Sequence, residues 1–140
     1  MNIEKPVMII TGTRRGIGKG IAEYYIEQGY NVIGCSRGKG TITADNYQHE
    51  QVDLIDEKQV RKFVRTVKKQ YEKIDILVCN VGLVGSVLHM SLTSSESLHS
   101  FINTNFVANY LICREVSKTM VSNRSGRIIT LSSIMTSIHS

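Results

Sequence analysis

A chain of 140 residues, 41% hydrophobic and 21% charged, suits one soluble domain with its own core. Its apolar runs are far shorter than the roughly 20 residues that span a bilayer, and "MNIEKP" has no charged segment leading into an apolar core, so neither a membrane helix nor a signal peptide is expected. The net charge of +5 comes with only 6% aromatics and no tryptophan, so there is little on which to stack bases and nucleic acid is not the expected partner.

Residues 7–11, apolar throughout, read as a first strand. Residues 17–28 read as a helix, with Ile17, Ile21, Ala22, Tyr25 and Ile26 on one side and Gly29 as its stop. "NVIGC", 31–35, is a second strand, and a short third strand is expected around Gln51–Val52. The basic stretch 57–73 repeats Val60, Phe63, Val64, Val67 and Tyr71 at helical spacing. Its lysines and arginines then fall on a solvated outer face. "IDILVC", ending at Cys79, is the fourth strand, followed by a loop over roughly 81–94. "SSES" supplies caps for a long helix running to about Val121, whose inward stripe is Leu98, Phe101, Ile102, Ala108, Ile112 and Val116. "GRIITLS", 126–132, is the fifth strand.

Apolar strands alternating with helices indicate a parallel sheet covered on both faces, a doubly wound α/β unit of Rossmann-like type that occupies 1–140 as a single domain. Ligands are expected at the carboxyl ends of its strands. After the fifth strand the sequence is too short for another crossover and strand. The sheet is therefore expected to be truncated there, with the fifth strand at or near an open, apolar edge available for self-association. Three scattered cysteines, Cys35, Cys79 and Cys113, argue against a disulfide framework and for a reducing, cytoplasmic setting. The four histidines have no metal-site spacing.

The chemistry centres on "IITGTRRGIG", residues 9–18. Gly12, Gly16 and Gly18 follow a strand and open a helix, so bare backbone amides and the positive end of the helix dipole can meet a pyrophosphate; tight packing alone is the alternative. The second strand ends in Ser36 and Arg37, where dinucleotide folds that bind a free ribose hydroxyl carry an acid. Arg37, with Arg15 from the glycine turn, suits a 2′-phosphate, and NADP(H) is expected over NAD(H). Asp53, at the end of the third strand, either accepts from an adenine amino group or caps the following helix. Asn105 falls in the inward stripe of the long helix, where an amide needs a partner; a strand carbonyl would supply one.

These motifs resemble the classical branch of the short-chain dehydrogenase/reductase family, in its amino-terminal part. "TGTRRGIG" is similar to the family's T-G-x-x-x-G-x-G turn and "DILVCNVG" to its D-I-L-V-N-N-A-G segment, with Cys79 and Val81 as departures. "GRIITLSS" resembles the strand that delivers the catalytic serine, and "NTNF" sits where the family has an asparagine in the long helix. The resemblance implies cofactor contacts from Gly12, Thr13, Arg15, Gly16, Ile17 and Gly18, from Ser36 and Arg37, from Asp53 and Leu54 at the adenine, and from Asn80 and Gly82 along the ribose. It implies Ser133 as the catalytic serine and Asn105 as the holder of a relay water. The implied reaction is hydride transfer between the nicotinamide and a small carbonyl or alcohol substrate.

The family's acid/base pair, a tyrosine with a lysine four residues later, is not in this sequence. Tyr24, Tyr25, Tyr30, Tyr47, Tyr71 and Tyr110 are followed at that distance by Gln28, Gly29, Gly34, Gln51, Asp75 and Arg114. The expectation is an inactive, shortened form of an NADP(H)-dependent oxidoreductase. The alternative is a non-catalytic nucleotide-binding or protein-interaction module of the same fold.

Overall fold

The structure is a computed structural model that describes residues 5–83 and 90–132. Among these residues five strands, β1 (Val7–Thr11), β2 (Asn31–Ser36), β3 (Tyr47–Gln51), β4 (Ile76–Cys79) and β5 (Arg127–Thr130), form one parallel sheet in the order β3-β2-β1-β4-β5. Among the described residues four α-helices connect them: α1 (Gly16–Glu27), α2 (Glu57–Tyr71), α3 (Ser95–Ile102) and α4 (Ala108–Ser122).

The sheet is covered on both faces because β1 has no polar side. Met8 and Ile10 pack with Ala22 of α1 and with Val32 and Val78. Val7 and Ile9 join Val60, Phe63, Val64 and Val67 of α2 and Ile112 and Val116 of α4. A strand with two dry faces belongs inside a parallel sheet, so β1 takes the centre. The strand order turns back on itself between β1 and β4, and there the loops at the carboxyl ends part to leave a crevice.

Two elements differ from the sequence expectation. β3 covers Tyr47–Gln51 rather than Gln51–Val52, because an edge strand carries half-exposed polar residues and shows no apolar run. The long helix is interrupted by a π-helical turn at Asn103–Val107 between α3 and α4. The extra residue in that turn rotates α3 out of phase with α4. Ala108, Ile112 and Val116 are buried as expected, whereas Leu98 and Ile102 are 51% and 45% exposed.

Local signals account for the helix starts. Asp56 caps α2, accepting from the amides of Lys58 (2.9 Å) and Gln59 (3.2 Å), and Ser94 caps α3 through the amide of Ser97 (3.1 Å). α1 begins after Arg15 with no side-chain cap and no acid in its first turn. β5 is the other sheet edge; among the described residues it pairs with β4 alone, and its four residues are exposed.

Candidate functional site

The crevice is a cleft of about 390 Å³ built from the ends of four strands. The turn after β1 gives Gly12, Arg14 and Arg15; β2 gives Ser36, Arg37 and Gly38; the segment after β3 gives Val52 to Ile55; and β4 leads into Asn80, Val81 and Gly82. Thr104, in the π turn, and Ala108 complete the wall. Three arginines face one aspartate, so the cleft is set for an anion.

The glycine turn is held by what lies beneath it. Gly12 has φ +75° and its amide bonds the Cys35 carbonyl at 2.8 Å, tying the turn to β2. The Asn80 amide side chain donates to the Thr11 carbonyl (3.0 Å) and to that of Gly12 (3.4 Å), and the Asn80 backbone N–H donates to Thr11 Oγ1 (3.0 Å). A Cβ on Gly12 would lie 2.9 Å from Asn80 Nδ2, and one on Gly18 would overlap both Asn80 Nδ2 and the Gly12 carbonyl. Gly18 is thus buried to let helix and turn close. Gly16 has φ +60° with nothing within 4 Å of where its Cβ would be, leaving its backbone open.

The residues expected at the site divide accordingly. Gly12, Arg15, Ser36, Arg37, Asp53, Leu54, Asn80 and Gly82 line the cleft. Gly16 and Ile17 are exposed at the start of α1, and Gly18 lies beneath it. Thr13 turns inward: it is fully buried, with Oγ1 2.8 Å from the Tyr47 hydroxyl. Asp53 does not cap α2, a task Asp56 performs; its Oδ1 accepts from the Ile55 amide at 3.3 Å. Asn105, expected on the inward stripe, is exposed because the π turn shifts the phase. Its Oδ1 accepts from the Leu83 amide (2.6 Å) and its Nδ2 donates to the Leu83 carbonyl (3.1 Å), a loop rather than a strand. Ser133 lies outside the described residues.

Other contributors were not singled out from sequence. Arg14, the first of the adjacent arginines in "TRRG", lies over Gly38, where a Cβ would come 2.5 Å from Arg14 Nη1. The Gly38 carbonyl, which can only accept, lies 3.0 Å from His49 Nε2 and 2.9 Å from Ser36 Oγ. In the neutral tautomer that donates Nε2–H to Gly38, His49 Nδ1 accepts from the Tyr47 hydroxyl at 2.9 Å. Thr13, Tyr47, His49 and Ser36 therefore brace the glycine turn against the end of β2. Burial, as the main cause, pushes the Tyr47 phenol above its ordinary range. Gly34 makes room for the brace, since a Cβ there would strike Thr13 Oγ1 and the Tyr47 hydroxyl. Asn109 Nδ2 holds the Val81 carbonyl (3.2 Å) and that of Asn105 (2.9 Å).

Such a fold, with a glycine turn and cations at the point where strand order reverses, is a doubly wound α/β unit of Rossmann-like type. The sequence model described as short chain dehydrogenase matches residues 6–140, and the chain belongs to that family. It is 32% identical over 141 residues to the 3-oxoacyl-[acyl-carrier-protein] reductase FabG of Vibrio harveyi, covering 96% of this chain and 57% of that one. Among solved structures it is similar to ligand-free aldohexose dehydrogenase of Thermoplasma acidophilum, with TM-score 0.88 and 28% identity over 98% of this chain and 52% of that one. It is also similar to ElxO with NADP bound, with TM-score 0.86 and 29% identity over 94% and 56%. The chain thus spans about half the length of the relatives it matches.

Proposed function

We propose that this chain is the dinucleotide-binding part of an NADP(H)-dependent short-chain oxidoreductase acting on a small carbonyl or alcohol. The observation that carries the reading is the start of α1, the one of the three strand-linked or loop-linked helices α1, α2 and α3 whose first turn has neither a side-chain cap nor an acid. It opens beside Arg14, Arg15 and Arg37, so its free amides and three cations favour a phosphate-bearing ligand. The NADP bound to ElxO supports the choice of cofactor. Gly12 and Gly16 would present backbone to the pyrophosphate, Arg37 with Arg14 or Arg15 would take the 2′-phosphate, and Asp53 with Leu54 would border the adenine. The bound cofactor would supply the hydride; the protein's part is to hold and orient it.

Ser133 and Asn105 are the residues proposed for the substrate side, but no tyrosine here has a lysine four residues later. The 140 residues by themselves are therefore expected to bind cofactor with little or no turnover, since nothing in them takes the general acid/base role. A cytoplasmic setting and self-association belong to the same reading. The exposed β5 edge favours a second one, an interaction module of this fold that pairs through that edge.

Titration of the purified chain with NADPH and NADH, followed by nicotinamide fluorescence, tests the site. NADPH should bind more tightly, and Arg37→Ala should cost about tenfold in NADPH affinity, ~1.4 kcal/mol, while leaving NADH unchanged. Equal affinities for the two cofactors would remove the 2′-phosphate assignment. Steady NADPH oxidation with carbonyl substrates would remove the expectation of inactivity.

A further inference from the structure

Cys79 ends β4 and Cys113 sits in α4, 34 positions later, yet their sulfur atoms are 3.5 Å apart. The two thiols differ in access. Cys79 is buried, and its thiol is pushed far above the ordinary range, first by burial and then by the neighbouring sulfur of Cys113. Cys113 is half-buried and is the more accessible of the two. The third thiol, Cys35, is fully buried in β2 and pushed up to about 12 by desolvation.

We propose that Cys79 and Cys113 form a reversible disulfide when the protein meets a peroxide, clamping the end of β4 to α4 beneath the cleft wall. The Cys113 sulfur attacks one peroxide oxygen; an S–O bond forms, the O–O bond breaks, and the departing hydroxide leaves as water with the Cys113 proton. The Cys79 sulfur then attacks the Cys113 sulfur; the S–S bond forms, the S–O bond breaks, and the second hydroxide leaves as water with the Cys79 proton. Two thiols lose two electrons and hydrogen peroxide gains them. The buried partner never has to exist as a free thiolate in bulk water, because its proton leaves with the hydroxide in the same step.

Closure brings the sulfurs from 3.5 Å to about 2.05 Å, a movement of a side chain rather than of the fold. It acts on a segment under load: Asn80, next in the chain, tethers the glycine turn, and the Val81 carbonyl is held by Asn109 of α4. Coupling to the cleft rests on the dinucleotide reading above; the disulfide itself does not.

The test treats the reduced chain with hydrogen peroxide, unfolds it in denaturant so that buried Cys35 can be reached, blocks remaining thiols with an alkylating agent and measures intact mass without reductant. The expected product is a monomer that has lost two hydrogens and takes label only at Cys35. Digestion after basic residues and after Glu96 should leave the peptides starting at Ile74 and Ser97 joined until dithiothreitol is added. Cys113→Ser should abolish the link and Cys35→Ser should retain it. The peptide map of the unaltered chain decides the matter even if a variant fails to fold. A bridge between two chains, a bridge to Cys35, or oxidation of Cys113 to a sulfinic acid with Cys79 still a free thiol would overturn the proposal. NADPH should bind the oxidised chain less tightly than the reduced one, with affinity restored by dithiothreitol. Equal affinity in both states would overturn the clamp on the cleft, and no NADPH binding in either state would overturn the dinucleotide reading while the mass result still decides the disulfide.

Discussion

Asn80 and Gly18 meet under the glycine turn, and the two make opposite demands on space. Asn80 needs its amide within reach of the Thr11 and Gly12 carbonyls, and Gly18 must have no side chain for that amide to fit. Gly18→Ala should lower unfolding free energy by about 1–3 kcal/mol through overpacking in a site with no room to relax. Gly16→Ala meets no neighbour, and only its positive φ opposes it, at about 1–2 kcal/mol. Urea unfolding separates them: Gly18→Ala should be the less stable, whereas Gly16→Ala should lose more NADPH affinity than stability. Asn80→Ala leaves the Thr11 carbonyl without its side-chain donor, an expected loss of about 1–3 kcal/mol. Wild-type urea midpoints in Asn80→Ala would show that the turn holds itself. Much of the cleft was legible in sequence because strand ends and glycines mark it, as at Gly12, Arg37 and Asp53. Arg14 was not, since nothing local tells which of two adjacent arginines lies over Gly38. Asn105 was assigned to the inward stripe by a helical period that the π turn breaks. Asn109, whose amide joins the Asn105 carbonyl one turn back to the Val81 carbonyl brought close by folding, left no sequence signal.

At the scale of elements, α2 and α4 are joined by charge as well as by their apolar faces. Glu57 of α2 pairs with Arg114 of α4 at 2.6 Å and with Arg61 of its own helix, and Glu115 pairs with Lys118 (2.8 Å) and Arg114 (3.0 Å). The Arg114 hydrogen bond holds the Glu57 carboxyl below its usual range, and the Lys118 hydrogen bond does the same for Glu115. Asp56, the cap of α2, is lowered chiefly by the Gln59 side chain. Carboxyls whose folded pKa is depressed contribute stability above their unfolded values and lose it as pH falls through the folded ones. The melting temperature should therefore be nearly flat above about pH 5.5 and fall below about pH 4.5, near the unfolded carboxylate range. Glu115→Gln should flatten that fall, because Glu115 is buried while most such pairs are exposed and weak. An acid limb identical to wild type in Glu115→Gln would mean that the pairs of Glu115 with Arg114 and Lys118 add nothing to stability. That packing was readable: Val60, Phe63, Val64 and Val67 recur at helical spacing and are buried. β1 and β4 were equally clear as short apolar runs. β3 was not, because its polar residues pair through the backbone at an edge, and backbone pairing leaves no pattern in side chains.

The whole molecule is asymmetric in how its sheet ends. β3 closes one side with half-buried polar residues, whereas the opposite side ends in Arg127–Thr130, with Ile128 and Ile129 each 39% exposed and Leu131 44% exposed. Among the described residues β5 bonds only to β4, so its outer backbone groups and its apolar side chains face outward together. A parallel sheet is ordinarily dry on both faces, and an apolar edge left open is a template for another strand. The chain is therefore expected to self-associate through β5, with a sedimentation coefficient that rises with protein concentration. Ile129→Lys puts a charge on that edge without touching the cleft, and should return the chain to a monomer while leaving NADPH affinity unchanged. Persistence of the larger species in Ile129→Lys would place the contact elsewhere. The next surface to test would be the exposed line of Leu98, Ile102, Phe106 and Tyr110, which runs at four-residue spacing from α3 through the π turn into α4. Phe106→Lys would then be the variant that dissociates it. Loss of association in Ile129→Lys together with loss of NADPH binding would mean that the edge supports the cleft, because among the described residues β5 is the strand that flanks β4 on the side away from β1.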